Sequence, residues 1–262
     1  MTKKRRKRVR VSDPLAQVRI SPVRVNGHQV THKGVEIQLD DGSWEAINIH
    51  TNDYNLIPNA DAYRVAKQIL TDSAYGWVQK DEIWTGRYWA ALYQADVDVD
   101  VPSVGDALSL GLRVENSYDG SCQFRLILMA YVLSCSNGLV VPQHFANYRM
   151  RHTMNNEFDI EEALLILNSG MYHVKGLLPK IEDLSMIPLT FSLLSRVAKE
   201  TSIPKRDWGY IAENIGSASN AWDLMQAITH RLTHHGRGKS SLHYQEEIGD
   251  YFIGRIAEGY PA

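Results

Sequence analysis

Gly105–Thr153 reads GDALSLGLRVENSYDGSCQFRLILMAYVLSCSNGLVVPQHFANYRMRHT, and it predicts a long β-hairpin, a polar crossover and a basic strand end. Asp119-Gly120 is the turn signal, because both residue types tolerate the positive φ of tight hairpin turns. A two-residue loop there sets Tyr118 opposite Ser121. It pairs Val114 with Arg125, Leu112 with Ile127, Leu110 with Met129 and Leu108 with Tyr131, giving one nearly apolar ribbon face. The opposite face then carries Ser109, Gly111, Arg113 and Glu115 against Leu128, Leu126 and Phe124. The second strand is apolar on both faces, which predicts a central place in its sheet.

Upstream, turn signals at Asn26-Gly27 and Asp41-Gly42 divide short β segments into further hairpins. A helix follows from Asn59 as N-cap, burying Ala62, Val65, Ala66, Ile69 and Leu70. Residues 73–95 read as a strand pair turning at Lys80-Asp81. Trp84, Tyr88, Trp89 and Tyr93 there suit sheet packing better than base stacking. The alternating Asp96, Asp98 and Asp100 read as a solvated edge, without the glycine and terminal glutamate of a calcium loop. After Thr153 the periodicity is helical. Asp159 and Asn220 are N-caps, and Pro204 opens another helix. The fold class is α+β: an antiparallel β-sheet of long hairpins in the N-terminal half, packed with a helical C-terminal half. Residues 1–16 form a basic arm read as disordered. Residues 17–262 form a single domain, β-rich over 17–153 and α-rich over 154–262.

The formal net charge of −2 conceals an asymmetry. Lys3, Lys4, Arg5, Arg6, Lys7, Arg8 and Arg10 hold seven of the 28 basic residues, leaving 21 against 30 acidic residues, a net of −9. Such an arm suits a polyanion. Two cysteines, Cys122 and Cys135, are too few for a disulfide framework or a four-thiolate zinc site and are read as buried strand thiols. No apolar run reaches spanning length, so the expectation is a cytoplasmic protein with no membrane partner.

No nucleophile elbow, phosphate loop, dinucleotide fingerprint or kinase motif is present, which favours a non-enzymatic role with no cofactor. His230 and His234 share a helix face, with His243 a candidate third metal ligand. The segment HRLTH lacks the glutamate base of a zinc hydrolase, so a basic helix end is preferred to a metal site. Arg125, Arg149, Arg151 and His152 are candidate phosphate contacts and Asn137 a residue shaping their groove, because arginine forks bind phosphate and asparagine bonds base edges or backbone. The alternative is structural: a turn at Asn137-Gly138 and arginines paired with the many acids.

The blocks NSYDGS (Asn116–Ser121), SCSNGLVV (Ser134–Val141) and RHT (Arg151–Thr153) resemble a family of phage and plasmid-like proteins of unknown function. NLIPNADAY and AWDLMQAITHR carry the likeness outward, over most of residues 53–255. Tyr131-Val132 stands where many members have an arginine. The resemblance implies a phage or mobile-element origin and a bacterial cytoplasm. At fold level the chain is similar to single-strand annealing recombinases, which implies a homo-oligomer with a groove for single-stranded DNA. The expected function is nucleic-acid binding in recombination or replication. A protein effector acting on a host component and a metal-dependent enzyme are the alternatives.

Overall fold

The computed structural model describes residues 11–133, 137–139, 145, 147–153, 157–216, 218–235, 239–257 and 259. Two antiparallel sheets precede a run of helices, so the chain is α+β. Strands β1 (Val18–Val25), β2 (His28–Gln38) and β3 (Trp44–His50) form the first sheet, in that order. The β1–β2 turn is Asn26-Gly27 with φ of 52° and 81°, the left-handed pair that a two-residue hairpin requires.

Helix α1 (Asn59–Asp72) buries the predicted stripe of Ala62, Val65, Ala66, Ile69 and Leu70. Asn59 is not its cap. Its side chain donates to the Pro14 carbonyl and accepts from Asn116, and Pro58 holds the capping position.

The second sheet contains β4 (Trp77–Trp84), β5 (Tyr88–Val101), β6 (Asp106–Ser117), β7 (Phe124–Val132) and β8 (Asn137–Leu139), in that order. Strand β9 (Asn147–Met150) also pairs with β7, along its first half. The β4–β5 turn falls at Gly86, with φ of 84°, rather than at Lys80-Asp81. Lys80 is instead a bulge inside β4, where the register shifts between Gln79 and Asp81. Asp96, Asp98 and Asp100 are exposed on β5, as expected of a solvated edge.

The central hairpin forms, but one residue out of the expected register. Leu108 pairs with Val132, Leu110 with Ala130, Leu112 with Leu128, Val114 with Leu126 and Glu115 with Arg125. The connection is wider than two residues. Ser117 Oγ accepts from the Cys122 amide and donates to the Cys122 carbonyl, each at 2.9 Å, and Asp119 takes the Ser121 amide at 3.0 Å. The extra residue moves every β7 side chain to the opposite face. Leucines now meet Leu126, Leu128 and Ala130 on one face. Arg113 and Glu115 share the other with Arg125, Ile127, Met129 and Tyr131. Cys122 lies half-buried in the connection rather than in a strand, and Cys135 falls outside the described residues.

Helices α2 (Ile160–Asn168), α3 (Gly170–Gly176), α4 (Leu178–Met186), α5 (Phe191–Glu200), α6 (Lys205–Asn214), α7 (Ala221–His235) and α8 (Lys239–Tyr251) follow, and a π-helical turn (Phe252–Ile256) continues α8. Asp159 and Asn220 cap α2 and α7 as read, accepting the Glu162 and Asp223 amides at 2.9 Å. The leucine face of β6 packs with α1 and α3 in the main core. Helix α8 covers the other face, laying Leu242 on Tyr88 and Ala90. No helix among the described residues is long and apolar enough to cross a membrane.

Candidate nucleic-acid interface

Strand β9 carries the basic strand end. Register sets Arg149 beside Arg125 of β7, while Tyr148 and Met150 turn into the core. The two arginines have different surroundings. Arg125 Nε donates to Glu115 at 2.8 Å, and its guanidinium also approaches Glu246 at 3.8 Å. Arg113, fully buried, is 2.9 Å from the other Glu115 oxygen and bonds Glu246 as well. Tyr88 donates its hydroxyl to Glu115 at 2.8 Å. Burial alone would raise the Glu115 carboxyl, but Arg113, Arg125 and the Tyr88 bond outweigh it and hold it below the usual carboxylate range. Two cations and two anions therefore close on themselves beneath α8. Arg149 is exposed and makes no ion pair among the described residues. Arg151 is exposed two residues further on.

His152 turns inward. Its ring stacks on Tyr54 at 5.4 Å between centroids, and Tyr54 stacks on His50 at 3.7 Å, with all three planes within 8° of their neighbours. Both His152 ring nitrogens are buried without a hydrogen-bond partner among the described residues. Burial, then the neighbouring His50, lowers its pKa to about 4, so the ring is neutral near pH 7. It can position the strand end but adds no charge to a phosphate contact. The stack is tied down on several sides. His50 Nε2 bonds the Tyr118 carbonyl at 2.8 Å, Lys33 Nζ donates to the Tyr54 carbonyl at 2.9 Å, and the Asn55 amide donates to the His152 carbonyl at 3.1 Å. Tyr118, whose ring fills the small core under the first sheet, receives the Asn59 amide on its hydroxyl.

The predicted residues do not all meet. Asn137 pairs with Val132 through β8, whereas Arg149 pairs with Arg125 at the other end of β7. Seven residues of strand separate those positions, about 23 Å at ~3.3 Å per residue. The arm, Lys3 to Arg10, lies outside the described residues. The chain that follows it starts beside the stack: Trp84 Nε1 donates to the Val11 carbonyl at 2.9 Å, and Trp84 meets Tyr118 edge-on. Sequence reasoning missed Lys33, His50 and Tyr54. Nothing local marks them, since three hairpins and a crossover separate His50 from His152.

The His230 and His234 rings lie 4.6 Å apart on α7 with their planes tilted by 48°, while His243 lies beside Tyr244 on α8. Among the described residues no three His, Cys, Asp or Glu side chains group to hold a metal ion.

Residues 46–249 match the family model described as Domain of unknown function (DUF932). No curated protein and no solved structure matches the chain.

Proposed function

The chain belongs to the DUF932 family, a domain of unknown function, and from there we propose a phage or mobile-element protein that binds single-stranded DNA without covalent chemistry, as a homo-oligomer in the host cytoplasm. The observation that carries this reading is Arg149: exposed, without an ion pair among the described residues, and next to Arg151 on a strand end held by the ring stack. Its neighbours Arg113 and Arg125 have their charge taken up by Glu115 and Glu246, so the sheet spends two arginines on its interior and presents the others outward. Phosphate contacts of this kind need a guanidinium with free N–H groups at a fixed position. The seven cations of the arm add sequence-independent attraction.

The test is fluorescence anisotropy with a labelled single-stranded oligonucleotide at two salt concentrations. It compares the full chain, a chain beginning at Val11, and Arg149→Glu/Arg151→Glu. The full chain is expected to bind and to weaken steeply with salt. The double charge reversal is expected to cost about tenfold or more. Removing the arm is expected to flatten the salt slope while leaving measurable affinity. Binding by the arm alone, or binding indifferent to salt, rejects the reading.

A basic protein partner is the second reading, favoured by the exposed Asp96, Asp98 and Asp100 row on β5. It is taken up if the folded body binds no DNA.

A further inference from the structure

Tyr63, Lys67 and Thr71 recur at four-residue spacing on α1 and so share one helix face. Across from them, register pairs Trp77 with Ala95 and Gln79 with Tyr93, which turns Trp77, Gln79 and Tyr93 to one side of the β4–β5 ribbon. A cleft of about 430 Å³ lies between the two surfaces, and Tyr75 and Gly76 of the α1–β4 connection complete its lining. The volume lies in the usual range for a small-molecule site, roughly 300–1,000 Å³. Three strands separate β4 from β9, so the cleft is remote from Arg149.

Tyr75 donates its hydroxyl to the Asn168 carbonyl at 3.1 Å, and Trp77 Nε1 donates to Ser73 Oγ at 2.8 Å. Both side chains are half-buried against the core. Their polar atoms are used inside the protein, so ring surface is what they give the cleft. The two ring planes cross at 81°, with centroids 6.2 Å apart. A flat ligand can lie on only one of two perpendicular walls, whereas a tetrahedral group touches both. Tyr63 and Tyr93 add two more rings, close enough that Tyr63 joins burial in pushing the Tyr93 phenol above its ordinary range. Several ring faces around one space favour a cation, because each face is the negative side of its quadrupole.

Two carboxylates flank the rings. Glu82 accepts from Trp89 Nε1 at 2.9 Å and also raises the Tyr93 phenol. Asp96 accepts the Gly76 amide at 2.9 Å, and the glycine makes room for it, since a Cβ there would come within 2.5 Å of the carboxylate. Lys67 is exposed and is the only cation in the lining. Glu82, Asp96 and Lys67 have no ion pair among the described residues. A ligand that brings a positive group to the rings and a negative one to Lys67 answers both charges.

We propose that this cleft binds a small zwitterion in which a quaternary ammonium carries a carboxylate or phosphate a few bonds away. The ammonium sits between Tyr75 and Trp77, and the anion meets Lys67. The site is separate from the Arg149 surface and stands whether or not that surface binds DNA.

Isothermal titration calorimetry of the full-length protein tests it with glycine betaine, phosphocholine and choline. Two carbon analogues serve as controls: tert-butylacetic acid, ionised at neutral pH, for glycine betaine, and neohexyl phosphate for phosphocholine. Each keeps the shape and the anion but has carbon in place of the charged nitrogen. At least one zwitterion is expected to bind, about tenfold or more tighter than its carbon analogue and than choline. Which zwitterion binds identifies the anion. Trp77→Leu is expected to weaken that zwitterion about tenfold and leave its analogue nearly unchanged. Lys67→Gln, a change at an exposed side chain, is expected to bring the zwitterion down to the affinity of choline. It keeps the question answerable if Trp77→Leu does not fold. No binding of either zwitterion, an analogue that binds as well as its zwitterion, or a preference over choline that survives Lys67→Gln overturns the proposal.

Discussion

Glu115 shows how little a residue's identity says about its worth. It sits 1% exposed between Arg113 and Arg125, with Tyr88 on the same carboxylate. Glu115→Gln leaves two guanidinium groups to share Glu246, and breaking a buried pair in this way costs about 3–5 kcal/mol. Denaturant unfolding is expected to show that loss. Arg19→Ala, which removes an exposed partner of Glu36, is expected to cost under about 1 kcal/mol. His152 makes a prediction of the opposite charge type. Its folded pKa of about 4 lies below the ordinary value near 6.5. The unfolded chain therefore binds the extra proton first. Stability is unaffected above about pH 6.5, falls as the pH drops toward 4, and levels off below, a loss of up to about 3 kcal/mol from this group. His152→Phe keeps a ring on Tyr54 and is expected to flatten that part of the pH profile, read by urea unfolding at pH 7 and pH 4.5. A profile identical to that of the parent would deny the burial of this imidazole.

At the scale of the element, the strands and helices were readable because each carries its own period and punctuation. Asn26-Gly27, Asp159 and Asn220 act where they stand in the sequence, through local φ and local hydrogen bonds. The register of β6 on β7 was not readable in the same way. Asp119-Gly120 resembles a two-residue turn, but Ser117 and Cys122 close a longer loop around it. The alternation of β7 gives no warning, because both of its faces are apolar. Only Arg125 distinguishes them, and its partner Glu115 sits on the strand across. The strand end was legible as basic, whereas the stack that holds it draws on residues about a hundred positions apart. The pairing also explains Gly111, which faces Met129 and has Tyr131 across it. A Cβ there would come within 2.6 Å of Met129 Cγ and 2.7 Å of the Tyr131 ring. Gly111→Ala is expected to destabilise by about 1–3 kcal/mol, seen as an earlier denaturant midpoint, because both neighbours are packed and neither can yield freely.

Across the whole molecule, β6 is an enclosed element, buried without interruption from Leu108 to Ser117. It lies between β5 and β7, with helices over both faces. Its amides can reach solvent only when the fold opens as a unit, so residues 108–116 are expected to be the slowest to exchange in a hydrogen–deuterium experiment. Strand β1, at a sheet edge with Ile20 and Val25 exposed, is expected to exchange faster by orders of magnitude. Comparable rates in the two strands would contradict the layering.

The bond between Arg113 and Glu246 spans 133 positions of chain. A ribosome adding ~5–20 residues per second takes roughly 7–27 s to cover that distance. Through that interval the newborn sheet has its leucine side available for burial, while the opposite side holds a cation whose second anion has not been synthesised. Translation order thus makes α8 the element that closes this charge pair. A message cut before α8 releases a chain with a half-neutralised charge and a bare sheet face, the kind of product that cellular quality control removes.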